Sequence, residues 1–125
     1  MQEFQLNNLK IFQLSKEYGR EVWQIYQGLN WQLKKIIGDQ LMRSTDSVGA
    51  NITEGYGRYH FLDKIKFYYF ARASLFESKY WIDLLFERQI ITREKYLQLM
   101  DLYQNIVKGL NGLINSTYQN KKELK

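Results

Sequence analysis

A chain of 125 residues can hold one domain with a buried core, and 45% hydrophobic with 25% charged residues excludes a disordered tail. Cysteine is absent, which excludes disulfides, thiolate metal sites and cysteine nucleophiles; proline is absent too, which favours long uninterrupted helices. The formal net charge of +5, with a pI near 9.3, fits a polyanionic partner as readily as a merely soluble basic protein.

The first predicted helix starts at Asn7 or Asn8, either of which can cap an N-terminus. Ile11, Leu14, Tyr18, Val22, Ile25 and Leu29 recur at steps of three or four and form its core stripe. Gly28 and Asn30 mark its end. The second helix carries Leu33, Ile37, Leu41, Val48 and Ile52 on one face. Gly38-Asp39 either interrupts it or is passed through. Gly55 and Gly57 are expected to end it, since glycine tolerates the left-handed conformation beyond a C-terminus.

The second helix also carries a polar stripe, Arg43, Ser47, Asn51, Glu54 and Arg58, roughly 120° from the apolar one at about 100° per residue. The third helix, from about Asp63 to Arg88, is apolar on two sides. Ile65, Tyr69, Ala73, Phe76, Tyr80 and Leu84 form one stripe; Phe67, Phe70, Ala71, Ser74, Trp81, Ile82 and Leu85 form another, roughly 150° away. One stripe can face the core and the other then needs a second partner, for which another copy of the chain is expected.

Thr92 is placed to cap the fourth helix, with Glu94 in its first turn. Its stripe runs from Tyr96 through Leu99, Tyr103, Ile106 and Leu110 to Ile114. The pattern predicts helices over about 8–29, 31–57, 62–89 and 92–118, with a frayed tail over 119–125. The fold class is all-α: an antiparallel up-down-up-down four-helix bundle. No run approaches the roughly 18 apolar residues of a membrane span and no signal peptide is evident, so a cytoplasmic protein without membrane contact is expected.

Catalytic chemistry is hard to assemble. His60 is the one histidine and lies in a loop, so neither paired Glu-x-x-His metal ligands nor a serine triad can be built. Gly55-Tyr56-Gly57 lacks the strand and the lysine of a phosphate loop. Glu54 and Glu77 could pair as carboxylates, but nearby arginines would hold them ionised. No enzyme, metal or cofactor is expected.

Gln40, Leu41, Arg43, Ser47, Val48, Asn51, Ile52, Glu54, Gly55, Gly57 and Arg58, followed by Phe67, Ala71, Ser74, Leu75 and Glu77, resemble a motif of the small bacterial four-helix proteins encoded by intervening sequences of large-subunit ribosomal RNA genes. Thr53, Ala73 and Lys79 depart from that pattern. The resemblance covers about the middle third of the chain. It implies a four-helix bundle assembling as a ring, usually a homopentamer. It also implies kinship with the accessory variability proteins of diversity-generating retroelements, which look like basic pentameric barrels that bind nucleic acid and a reverse transcriptase.

The expected function is therefore a non-enzymatic homo-oligomer binding RNA or DNA mainly through phosphates. Candidate contacts are Lys10, Lys16, Arg20, Lys34, Lys35, Lys64 and Lys66. Tyr56 and Tyr59 could stack on bases or pack within the loop. Arg43, Ser47, Asn51, Glu54, Arg58 and Glu77 form a structural polar stripe; Arg43 and Arg58 either face a ring lumen or, the favoured expectation, pair with Glu54 and Glu77 across a protomer boundary. The competing expectation is a scaffold that binds a protein such as a reverse transcriptase and has no affinity for nucleic acid of its own.

Overall fold

The apolar periodicities close into helices in the computed structural model, which describes Leu6 and residues 9–123. Helix α1 spans Lys10–Gly28 and α2 spans Asp39–Tyr56. The two are linked by a short helical turn, Trp31–Leu33, and a π-helical turn, Lys34–Gly38. Helix α3 spans Phe61–Glu87 and α4 spans Arg93–Glu123. No strand occurs among the described residues.

Each helix packs on its neighbours in sequence, and α4 closes back onto α1. Contacts across every seam run in opposite directions along the two helices. Gly19 lies by Asp46 and Gly49 by Ser15 on the α1–α2 seam. Gly55 meets Tyr68 and Ser47 meets Ser74 on the α2–α3 seam. Asp83 meets Tyr96 and Arg72 meets Asn111 between α3 and α4, while Ile11 meets Gly109 and Glu21 meets Lys95 between α4 and α1. This is the antiparallel register of an up-down-up-down bundle.

The core is built from one stripe per helix: Ile11, Tyr18 and Val22; Leu41, Val48 and Ile52; Ala71, Leu75, Ile82 and Leu85; and Leu99, Ile106 and Leu110. On α3 the buried face is Ile65, Tyr68, Ala71, Leu75, Ser78, Ile82 and Leu85. Neither stripe expected for α3 is this face. The face includes Tyr68 and Ser78, whose polar atoms an apolar count passes over. The opposite face keeps Leu62, Tyr69, Phe70, Phe76 and Tyr80 exposed.

The boundaries have local causes. The expected caps Asn7 and Asn8 lie outside the described residues; Leu9 holds the N-cap position of α1 and supplies no side-chain bond. Asn30 accepts from the Leu33 amide at 2.9 Å, so it starts the second helical segment as well as ending the first. The helix passes through Gly38-Asp39 by widening into a π turn. A Cβ at Gly38 would sit 3.0 Å from the Tyr26 ring, so glycine lets this turn press against α1. Thr92 accepts from the Lys95 amide at 3.1 Å and caps α4. The expected tail from Gln119 is helical as far as Glu123.

The glycines that end α2 need a different explanation. No glycine among the described residues has positive φ, and Gly57 sits at φ −80°. Gly55 is required by proximity: a Cβ there would lie 2.7 Å from Tyr68 Cε1 and 3.0 Å from the Lys64 carbonyl. The left-handed position belongs instead to Gln89, φ 61°, where α3 turns into α4.

Candidate nucleic-acid interface

Residues three and four apart on a helix share a side, and α1 uses that rule to carry charge beside its buried stripe. Lys16 and Arg20 are exposed, and Trp23, 48% exposed, follows on the same flank. The Trp23 ring stacks on Tyr26 at 5.6 Å, and Lys34 Nζ stands 5.1 Å from the Tyr26 ring centre. The Tyr26 hydroxyl donates to Asp39 Oδ1 at 2.7 Å, tying this ring to the start of α2. Lys35 Nζ lies 5.8 Å from the ring of Trp31, which is 66% exposed. The π turn thus sets Lys34 beside the aromatic end of α1 and Lys35 beside Trp31 of the linker.

Among the described residues none of these cations is in an ion pair. The pairs among the described residues are Arg58 with Glu54, Lys79 with Asp83, and Lys95 with Glu21. The strip therefore keeps its charge. Alternating cations and flat rings can hold phosphates and stack bases.

The other expected contacts lie elsewhere. Lys10 is on the opposite flank of α1, close to Lys108 beside the α1–α4 seam. Lys64 donates to the Tyr56 carbonyl at 2.7 Å and, longer, to that of Gly55 at 3.5 Å. It closes the C-terminus of α2, and burial lowers its pKa below the ordinary lysine value. Lys66 is exposed over Phe67 at 5.6 Å, at the end of the bundle away from Lys34 and Lys35. Trp23 and Tyr26 thus join the flank of Lys16 and Arg20 to Lys34, which Lys35 follows in the π turn, while Lys10, Lys64 and Lys66 lie apart.

Of the expected stacking residues, Tyr59 is 89% exposed and edge-on to the exposed His60, while Tyr56 is half-buried. Trp23, Tyr26 and Trp31 make the larger aromatic surface, and the sequence reading missed them. The signal was partly local: Trp31 and Lys35 are four apart on a helix. The Tyr26–Lys34 contact crosses the α1–α2 turn and had no local signature.

The polar stripe of α2 runs along the α3 seam. Ser74 Oγ donates to Ser47 Oγ at 2.9 Å, and Asn51 Nδ2 donates to Ser47 Oγ and to the Ser47 carbonyl, both at 2.9 Å. Glu54 pairs with Arg58 at 3.3 Å, and the Arg58 guanidinium lies 4.6 Å from the Phe67 ring. Glu77 accepts from Trp81 Nε1 at 3.0 Å. Glu54 and Glu77 are therefore engaged separately, each within its own chain. Arg43 is exposed and has no ion pair among the described residues. No cluster of acidic residues and histidine among them is arranged to hold a metal ion, and no helix is long and apolar enough to cross a membrane.

The sequence profile of the 23S rRNA-intervening sequence proteins matches residues 7–112. Among solved structures, the chain is similar to a protein of unknown function of the S23 ribosomal protein family from Bacteroides thetaiotaomicron. The two share 30% identity over 83% of this chain and 97% of that one, with a TM-score of 0.78. No curated protein matches the chain.

Proposed function

Because the chain belongs to the 23S rRNA-intervening sequence protein family, we propose that it is a basic, ring-forming helical bundle that binds nucleic acid mainly through phosphate contacts and catalyses no reaction. The observation that carries this reading is the unpaired strip of Lys16, Arg20, Lys34 and Lys35 interleaved with Trp23, Tyr26 and Trp31. Structured RNA with single-stranded segments suits it, since phosphates meet the cations and unstacked bases meet the rings.

Ring assembly is supported by the exposed face of α3. Phe70, Phe76 and Tyr80 are 47%, 50% and 57% exposed on one side of a helix whose other side is already in the core. A second copy covering that face would multiply the charge of each strip by the copy number. The ring proposed is a pentamer, the assembly that the family resemblance implies, and its proposed location is the cytoplasm. The same aromatic face also favours a second reading, a scaffold that docks a protein such as a reverse transcriptase.

Titration with structured RNA and with duplex DNA, at low and near-physiological salt, tests the proposal. Binding that weakens steeply with salt is expected, with a slope that counts the phosphates neutralised. Absence of binding at low salt overturns it and leaves the scaffold reading.

A further inference from the structure

The α1–α2 seam opens into a groove of about 470 Å³. Its middle is floored by Gly19 and Gly49, both inside helices. Glycine in a helix interior costs roughly 0.5–1 kcal/mol relative to alanine. The fold does not ask for that cost here. A Cβ at Gly19 would find only Asp46 Oδ1, at 3.9 Å, and one at Gly49 only Ser15 Oγ, at 3.4 Å. The bare backbone holds space open instead of relieving a clash.

Two adjacent polar side chains share this groove. Thr45 is 2% exposed, and its Oγ1 is the buried side-chain oxygen left without a partner among the described residues. Asp46 is exposed and has neither an ion pair nor a hydrogen bond among the described residues, and partial burial raises the pKa of its carboxyl. Phe12 and Trp23 line the two ends, and Lys16 and Arg20 line the outer edge along α1. The groove thus combines flat rings, a cationic edge, an exposed carboxylate with no partner among the described residues and, next to it in the chain, a buried hydroxyl that also lacks one.

We propose that this groove binds a guanine nucleotide, with the base in the seam and its phosphate on Lys16 and Arg20. Among the standard bases, guanine alone presents two neighbouring N–H donors on its Watson–Crick edge, and a carboxylate offers two acceptors to match. The guanine O6 lies next to those donors and takes the Thr45 hydroxyl after a turn about χ1, an angle for which helical threonine has two wells. Adenine would set a ring nitrogen lone pair against Asp46. Trp23, about half exposed at one end of the groove, supplies a stacking surface.

The base can come from a free mononucleotide or from an unpaired guanosine in RNA; the second source rests on the function proposed above. Guanosine monophosphate and adenosine monophosphate are titrated separately by calorimetry. Two uridine-rich oligoribonucleotides that differ only in a central guanine or adenine are compared by fluorescence anisotropy. A guanine preference of about tenfold or more is expected. Asp46→Asn, which exchanges one acceptor for a donor, abolishes the preference and leaves the salt-dependent affinity for RNA. Gly19→Leu fills the groove and has the same effect.

If RNA binds without base preference, or if the preference survives Asp46→Asn, the guanine site is wrong and the phosphate-binding function stands. If the mononucleotide binds and RNA does not, the site stands and that function falls. If neither mononucleotide nor RNA binds, and Gly19→Leu lowers the native mass, the groove seats a second copy of the chain and the proposal is overturned.

Discussion

Tyr18 and Ser78 meet across the centre of the bundle at 2.7 Å, joining α1 to α3 through the core. Ser78 Oγ donates its one hydrogen to the Leu75 carbonyl at 2.6 Å, so the Tyr18 hydroxyl is the donor in the cross-core bond. Both residues are fully buried. The asymmetry predicts unequal costs. Tyr18→Phe leaves Ser78 bonded to Leu75 and should lower stability by about 1 kcal/mol. Ser78→Ala strands a buried phenol and should cost about 1–3 kcal/mol. Urea unfolding of the two variants measures the order; a larger loss for Tyr18→Phe would show that the phenol finds another partner.

The glycines give a second contrast. At Gly55 a methyl would press on the Tyr68 ring at 2.7 Å and on a backbone carbonyl at 3.0 Å, neither of which yields easily. Gly55→Ala should destabilise by roughly 1–3 kcal/mol. At Gly19 the space is open, so Gly19→Ala should stabilise by about 0.5–1 kcal/mol through helix propensity. Thermal melts of the two variants should move in opposite directions. A shared downward shift would mean that the α1–α2 seam is tighter than the groove implies.

These pairs also show what was legible in the sequence. The four helices and most of their core stripes follow from apolar spacing, which is local and repeats every three or four residues. Thr92 as a cap was legible for the same reason. The buried face of α3 was not, because α3 is apolar nearly all round and only its neighbours decide which side is inside. Gly55 was read as a conformational device, yet its role is set by Tyr68 on another helix. Lys64 looked like a free cation and is a helix cap, since the carbonyls it meets lie across the α2–α3 turn. Lys16 and Arg20 were identifiable as exposed charge, but their joining to Lys34 through Trp23 and Tyr26 depends on how the π turn folds back.

Alkaline pH should unfold the protein through its buried phenols. Burial pushes the Tyr68 hydroxyl up to about 12 from 10.0, with Tyr56 adding to the shift. Burial raises Tyr18 still further and also raises Tyr103. A raised folded-state pKa means that the folded protein holds its protons longer than the unfolded chain. The stabilisation is complete below pH 10 and is lost as pH rises from there through the folded values. Lys64 has the opposite sign: its lowered pKa means that folding gains as pH rises towards the ordinary lysine value. The phenols outnumber it, so the net effect is loss. Tyr68→Phe should shift the alkaline midpoint upward in a circular-dichroism titration. An unchanged midpoint would place the controlling ionisation elsewhere.

The exposed face of α3 makes the last prediction. Isolated apolar residues on a surface are ordinary, but Leu62, Tyr69, Phe70, Phe76 and Tyr80 share one side of one helix. They are about half exposed and lie outside the core cluster, so changing them should cost the monomer fold less than a core substitution. Phe70→Asp with Tyr80→Asp should therefore keep helicity and lower the native mass to that of one 15.1 kDa chain. The same variant should bind RNA more weakly with a shallower salt dependence, because dispersing the ring reduces the cations that act together. Native mass spectrometry and the salt titration read these effects separately. A reduced mass with unchanged RNA affinity would mean that one strip suffices. An unchanged mass would assign assembly to another surface and leave the aromatic face of α3 to a protein partner.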